Sequence, residues 1–275
     1  MQDFNLHMHT VDFDGKNTAA EMVDAAVENG MNTVGISNHF IVHQDVKQAP
    51  FYRFAVFGGY EKIYNDKFDD VVSLFRKHYD ELERVAADKK VKILRGMEVD
   101  FFPSQKWMRG FDRAVQILKP DYLIGACHLI DFKGQICNIH SMKRADAETS
   151  DEMLMAYWRK VQEMAKSGIF TFLAHIDLPR RLNLGQDDKW ADTEQETTDV
   201  IAKNKIPVEI NTALYKRFGQ PHPTGRIMEM CVGAGVPMFL SDDAHHITQV
   251  AEKFADAQKY AQDYGVKLIG LKNII

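Results

Sequence analysis

The stretch Phe4-Asn5-Leu6-His7-Met8-His9 starts apolar and closes on two histidines spaced two apart. Alternate residues of a strand point to one side, so both imidazoles share a face, about 7 Å apart along the backbone. The same arrangement recurs down the chain. Residues 33–37 lead into Asn38-His39, and residues 92–99 carry Glu98 at their end. Residues 122–127 lead into His128, residues 170–174 into His175, and residues 237–240 into Ser241-Asp242-Asp243-Ala244-His245. A further run, 207–211, ends in Glu209-Ile210-Asn211. All these runs are short and rich in Val, Ile, Leu or Phe, as buried parallel strands are.

Helical patterns lie between the strands. Thr18-Ala19-Ala20-Glu21 fits a capping box for a helix over 19–29 that stops at Gly30. Residues 66–89 place apolar side chains at 68, 71, 72, 75, 79, 82, 85 and 86, one face of a helix. Residues 151–167 end at Gly168, and 193–204, 224–234 and 247–264 also read as helical. Alternating strands and helices imply a parallel sheet with helical crossovers. Seven such strands, or eight with 266–271, suit a barrel in a single domain spanning 1–275. An open doubly wound sheet competes. Residues 40–65 and 131–150 are long for connections. In a barrel such loops form the site or its lid, or add a packed helix over the barrel end.

Composition narrows the function. The 275 residues are 45% hydrophobic, enough for a sizeable core. No run reaches the roughly 18 apolar residues of a membrane helix, so no membrane association is expected. The N-terminal stretch has neither a basic patch nor a long apolar segment, so no secretory signal is expected. A net charge of −5, from 34 basic and 39 acidic residues, argues against extended nucleic acid as a partner. Cys127, Cys137 and Cys231 are scattered and odd in number, which suits a reducing cytoplasm.

The chemistry lies in the histidines. Six of the 11 (His7, His9, His39, His128, His175 and His245) fall at strand C-termini. In a barrel these ends converge on one face, where catalytic groups sit. Asp14, Glu98 and Asp243 join them. Imidazole and carboxylate are ligands for zinc, manganese or iron, and nine of them suit two or three divalent ions rather than one. Asp12 competes with Asp14, and Asp242 with Asp243. His43, His78, His140, His222 and His246 read as surface or supporting residues.

The ordered series His7-x-His9, Asp14-Gly15, His39, Glu98, His128, His175, Asp243-x-His245 resembles the polymerase and histidinol phosphatase (PHP) family over essentially the whole chain. The resemblance implies a distorted (β/α)7 TIM-like barrel of the α/β class, holding up to three metal ions. It implies that His7, His9, Glu98 and Asp243 hold the first ion. Glu98 then bridges to a second held by His128 and His175, and Asp14, His39 and His245 hold the third. Asn38 stands before His39, where the family more often has an acidic residue. Within the family, four stretches look most like histidinol-phosphate phosphatases: 96–103, 121–128, 173–181, and 209–212 with His222-Pro223.

That resemblance implies a metal-dependent phosphate monoester hydrolase of histidine biosynthesis, acting on a small phosphorylated substrate. Paired ions lower the pKa of a shared water and neutralise phosphate oxygens. The expected nucleophile is therefore a hydroxide held between the ions, attacking phosphorus in line without a phosphoenzyme. Glu98, Asp243 and His245 are its expected catalytic residues. Arginine pairs two phosphate oxygens with its planar fork, which makes Arg180 and Arg217 the phosphate-binding candidates. The rivals are a phosphoesterase acting on nucleotides or short oligonucleotides, and a regulatory barrel that binds metal without catalysis.

Overall fold

The computed structural model describes residues 2–89 and 91–275. Its strands are β1 (Phe4–Asn5), β2 (Thr33–Ile36), β3 (His39–Val42), β4 (Tyr64–Asn65), β5 (Lys92–Asp100), β6 (Tyr122–Ala126), β7 (Leu129–Phe132), β8 (Gln135–Asn138), β9 (Phe172–Leu173), β10 (Val208–Asn211) and β11 (Met238–Ser241). Its helices are α1 (Ala19–Glu28), α2 (Tyr52–Gly58), α3 (Phe68–Asp88), α4 (Gln105–Leu118), α5 (Ile139–Arg144), α6 (Ala147–Ser167), α7 (Ala191–Lys203), α8 (Tyr215–Phe218), α9 (Gly225–Gly233) and α10 (Phe254–Asp263). The main sheet runs β1-β2-β5-β6-β9-β10-β11, the seven strands expected from sequence. The chain forms two compact units. The first is Met1–Gln48, Tyr52–Ile124 and Ser241–Glu252; the second is Ala49–Phe51, Gly125–Leu240 and Lys253–Ile275.

In the first unit, β5 organises the sheet. Its lower half pairs in parallel with β2 (Ile36 opposite Arg95), and its upper half with β3 (His39 opposite Glu98). The offset is the same for both, so β2 and β3 are one strand interrupted at Ser37-Asn38. The interruption lets Ser37 N–H donate to Met8 O instead of continuing the ladder. Beyond β1, Met8 makes a parallel bridge to Ala244, which sets His7 and His9 beside Asp243 and His245. Helix α1 begins in the expected capping box, with Thr18 and Glu21 bonding reciprocally. Helix α3 buries Val71, Val72, Phe75, His78, Tyr79, Leu82 and Val85 along one face.

Helix α4 was not expected. It shows Gly110 at mid-helix and buries only Trp107, Phe111, Ala114 and Leu118. The glycine reads as a breaker, yet it is required by packing: a Cβ there would lie 2.4 Å from the Phe68 ring. The 40–65 stretch holds β3, α2 and β4, with Tyr64 buried and Phe57 95% exposed.

In the second unit, β9 and β10 pair in parallel with Leu173 opposite Val208. Helix α6 is capped by Asp146 at its start and by Gly168, with φ 66°, at its end. It packs on α7, which packs on α9. The 131–150 stretch holds the β7–β8 hairpin, turning at Lys133-Gly134, then α5 and the start of α6. Residues 266–271 form no strand; Ile269 N–H donates to Met238 O, and a 3-10 turn follows at Leu271–Asn273. The single helix expected over 247–264 is in fact a 3-10 turn at Ile247–Gln249 and then α10. Left-handed backbone at Ala251 (φ 54°) and Lys253 (φ 66°) interrupts it.

Candidate metal centre

Seven of the nine expected ligands lie together in the first unit. His7 and His9 follow β1, His39 opens β3, Glu98 faces it on β5, and Asp243 and His245 follow β11. Asp14 reaches them from a turn that closes over the His9 backbone. Gly15 permits that approach, because a Cβ there would lie 2.7 Å from His9 O.

The group is almost dry. His7, His9 and Glu98 are fully buried. Glu98 is the hub: its Oε1 lies 3.3 Å from His7 Nε2, and its Oε2 lies 2.6 Å from His39 Nδ1 and 3.6 Å from His9 Nε2. Asp243 Oδ1 lies 3.0 Å from His9 Nε2 and 3.4 Å from His7 Nε2. Asp14 Oδ2 lies 3.2 Å from both His39 Nε2 and His245 Nε2. The His9 ring stacks on His245 with centroids 4.1 Å apart and sits 4.4 Å from His39.

Charge in this pocket is divided sharply. Burial, with His245 and His39 beside it, pushes the His9 ring down to about 3, so it stays neutral with one nitrogen lone pair available. Burial also opposes charge on His39, but Asp14 and Glu98 on its two nitrogens hold its pKa well above the usual histidine value. His245 is likewise raised against burial by Asp14; its Nδ1–H donates to Asp243 O. Burial would raise the carboxyl of Asp14, yet His39 and His245 hold it well below the carboxylate range; His7, His9 and His245 do the same for Asp243.

Two donor groups emerge, each with ligand atoms within 4.8 Å of one another: His9, Asp14, His39 and His245, and His7, His9 and Asp243. Both nitrogens of His9, Oδ1 of Asp14 and Oδ1 of Asp243 are buried without a hydrogen bond of acceptable geometry. Buried polar atoms are rarely left so, and a coordinated cation would satisfy the two carboxylate oxygens and the one His9 nitrogen that carries no proton. Nitrogen and carboxylate donors in this mixture fit first-row divalent ions. Asp243 also adopts a left-handed backbone, φ 50°, and so does His175 at φ 26°. Such strain in non-glycine residues persists where the surroundings enforce it, typically at functional sites.

The second unit holds His128 and His175, their rings edge-on at 5.0 Å. Buried Glu209 accepts from His175 N–H at 2.9 Å and from Asn211 Nδ2–H at 2.6 Å, steadying the end of β9. Arg180 is engaged elsewhere: its guanidinium meets buried Glu194, which Arg226 also pairs. Arg217 is exposed on α8, over the ring of Phe218.

Geometry separates the close alternatives. Asp12 accepts from His78 Nδ1–H, and Asp14 faces the histidine group. Asp242 accepts from Asn5 Nδ2–H, Ala244 N–H and Ala251 N–H, with its carboxyl pushed up to about 7 by burial; it braces the segment that presents Asp243. His246 caps the turn at Ile247–Gln249. The second unit also holds a pair that sequence did not single out, His222 donating from Nδ1–H to buried Asp177 at 3.0 Å. His222 reads from sequence as a surface or supporting residue and Asp177 falls in the 173–181 stretch, but nothing local links the two.

Fold and site fit a metal-dependent phosphoesterase, the class that the family match gives. The PHP domain family profile matches residues 5–213, and the chain belongs to that family. A protein of Deinococcus radiodurans described as a probable histidinol-phosphatase is 25% identical over 186 residues, 67% of this chain and 69% of the relative. Among solved structures, a proposed histidinol phosphatase from Listeria monocytogenes aligns at TM-score 0.71 and 17% identity, over 92% of this chain and 99% of that one. Histidinol phosphate phosphatase from Lactococcus lactis, solved with zinc, L-histidinol and phosphate, aligns at TM-score 0.69 and 14% identity, over 98% and 95%. These likenesses show the fold, a distorted barrel of seven parallel strands with helices. Among the described residues no helix is long and apolar enough to cross a membrane.

Proposed function

We propose that this chain is a cytoplasmic histidinol-phosphate phosphatase of histidine biosynthesis, hydrolysing L-histidinol phosphate to L-histidinol and phosphate with two to three bound divalent ions. One observation carries the metal reading: a buried set of four imidazoles and three carboxylates whose facing atoms in part lack hydrogen-bond partners. The substrate reading is supported by the description of the Deinococcus relative and by the ligands of the Lactococcus structure. The candidate ions are zinc, manganese and iron, with the zinc in the Lactococcus structure supporting the first.

In this reading His7, His9, Glu98 and Asp243 hold one ion, and Asp14, His39 and His245 another. His128 and His175 are ligands as the family resemblance implies. When bound, the ions lower the pKa of water and neutralise phosphate oxygens. The chain's own groups do the rest. Glu98 turns its two oxygens to different imidazoles, Oε1 to His7 and Oε2 to His39, which would let it serve more than one ion. His9, neutral, offers its one unprotonated nitrogen. His245 keeps its tautomer through Nδ1–H to Asp243 O, which leaves Nε2 as the donor atom toward a cation. Burial excludes water from the carboxylates, which strengthens their field. Arg217, exposed after β10, is the phosphate-binding arginine.

The test is phosphate release from histidinol phosphate, phosphotyrosine, simple monoesters, mononucleotides and dinucleotides by metal-loaded protein. Histidinol phosphate is expected to lead clearly in kcat/KM. Preference for a nucleotide or phosphotyrosine would refute the substrate assignment.

A further inference from the structure

Helix α3 carries one buried histidine that the site above does not use. His78 is 2% exposed, among Phe13, Phe75 and Tyr79. We propose that His78 is a positioning residue for the metal-ligand set, acting through the side chain of Asn38; this rests on the metal reading above.

The hydrogen bonds fix every orientation. Thr10 N–H donates to Asn38 Oδ1 at 2.8 Å, so the amide oxygen must face it. The amide nitrogen then donates to Thr10 Oγ1 and to His78 Nε2, each at 3.0 Å. His78 Nε2 is therefore the unprotonated nitrogen, and Nδ1–H donates to Asp12 Oδ2 at 2.9 Å. Both ring nitrogens are thereby used, so the nearby grouping of Asp12, His78 and Glu81 is no separate cation site.

Asn38 is a junction for three ligand-bearing segments. Its side chain clamps Thr10, next to His9. Its own backbone leads into His39. Its carbonyl accepts from Glu98 N–H at 3.0 Å. The separation of His9, His39 and Glu98 thus depends on how this one amide is held, and His78, oriented by Asp12, holds it. Without the Nε2 acceptor, a buried amide N–H loses its partner, which favours rotation of the amide away from Thr10.

The experiment compares wild type with His78→Phe, Asn38→Leu, Asn38→Asp and Val71→Ala. The readouts are the Zn2+ dissociation constant by chelator competition and the Tm of the ion-free protein. His78→Phe keeps the ring packing, and Asn38→Leu keeps the volume. Both are expected to weaken zinc binding by about 10–100-fold, as loss of groups that orient metal ligands does. Asn38→Asp is expected to bind zinc close to wild type. Its carboxylate accepts from Thr10 N–H at one oxygen, and at the other from Thr10 Oγ1–H and from His78 Nε2–H, the ring taking up one proton from solvent so that Nδ1–H still donates to Asp12. Val71→Ala trims the same buried face two turns earlier, and should lower Tm without weakening zinc binding. Wild-type affinity in His78→Phe would overturn this inference and leave the metal reading intact, as would equal loss in Val71→Ala. A wild-type protein that binds no zinc, manganese or iron would overturn both.

Discussion

Metal loading should expel protons, in a number that the charge pattern sets. In the ion-free protein His39 lies between two carboxylates, and His245 donates from both nitrogens, one to Asp14 and one to Asp243 O. Both pKa values are raised above the usual histidine value of 6.5. A ligating imidazole must be unprotonated at the coordinating nitrogen, so each ring gives up one proton on loading. His9, depressed to about 3, gives none, and nor do Asp14 and Asp243, held well below the carboxylate range.

The sign follows directly. Protons compete with metal, so affinity rises with pH until the raised values are passed. Between pH 5.5 and 6.5, two displaced protons make the affinity product steeper by about 100-fold per pH unit, or about 2.7 kcal/mol. Titration calorimetry with Zn2+ in two buffers of different ionisation enthalpy counts the protons. At least two per chain are expected at pH 6, and one fewer in His245→Gln. Release of fewer than one proton alongside tight binding would refute the protonation pattern derived from the geometry.

The ion-free protein should be most stable between about pH 4 and 6.5, where depressed His9 favours higher pH and raised Asp242 lower pH by similar amounts, so that the other shifted groups set the limits. Asp14 and Asp243 are depressed, so their stabilisation is lost as pH falls through the folded values. That of His39 and His245 is lost as pH rises through theirs, so ion-free Tm should fall from pH 6 to 8 while the loaded protein's does not. Glu98→Gln removes the charge that His7, His9, His39 and any bound ions share; kcat/KM is expected to fall at least about 100-fold with reduced metal per chain. Arg217→Ala should cost about 100-fold in kcat/KM with unchanged Tm, as loss of one charge-stabilising donor does. Arg180→Ala should instead lower stability by about 3 kcal/mol, because Glu194 would be left buried with one partner fewer. Kinetics and melting curves separate the two arginines, and a reversed pattern would exchange their roles.

The strands, and the gathering of His7, His9, Asp14, His39, Glu98, Asp243 and His245, were legible because two simple periodicities coincide. Strand alternation puts His7 and His9 on one face, and parallel β/α order puts successive strand ends together. Legibility stopped where the chain leaves regular geometry. Asp12 and Asp14, two apart in a turn, could be told apart only by the turn's path, which depends on Gly15 approaching the His9 backbone. Asp242 and Asp243 are adjacent, and the left-handed backbone at Asp243 breaks the alternation that would have assigned them. Helix α4 hid behind Gly110, whose role is to admit the Phe68 ring. His78 sits on the buried face of α3 between Phe75 and Leu82, and a titratable residue in an apolar stripe was its available signal. What it bonds to, 40 residues away in sequence at Asn38, is a long-range contact that local pattern does not encode.

The central claim is that the buried histidines and carboxylates hold catalytic ions. Its most direct measurement is metal per chain by mass spectrometry on protein as purified, after chelation, and after reloading, with phosphate release followed at each stage. Two to three divalent ions per chain, activity lost on chelation and restored by zinc, manganese or iron, is the expected result. Less than one ion per chain that reloading does not raise, or phosphate release indifferent to chelation, would contradict the account.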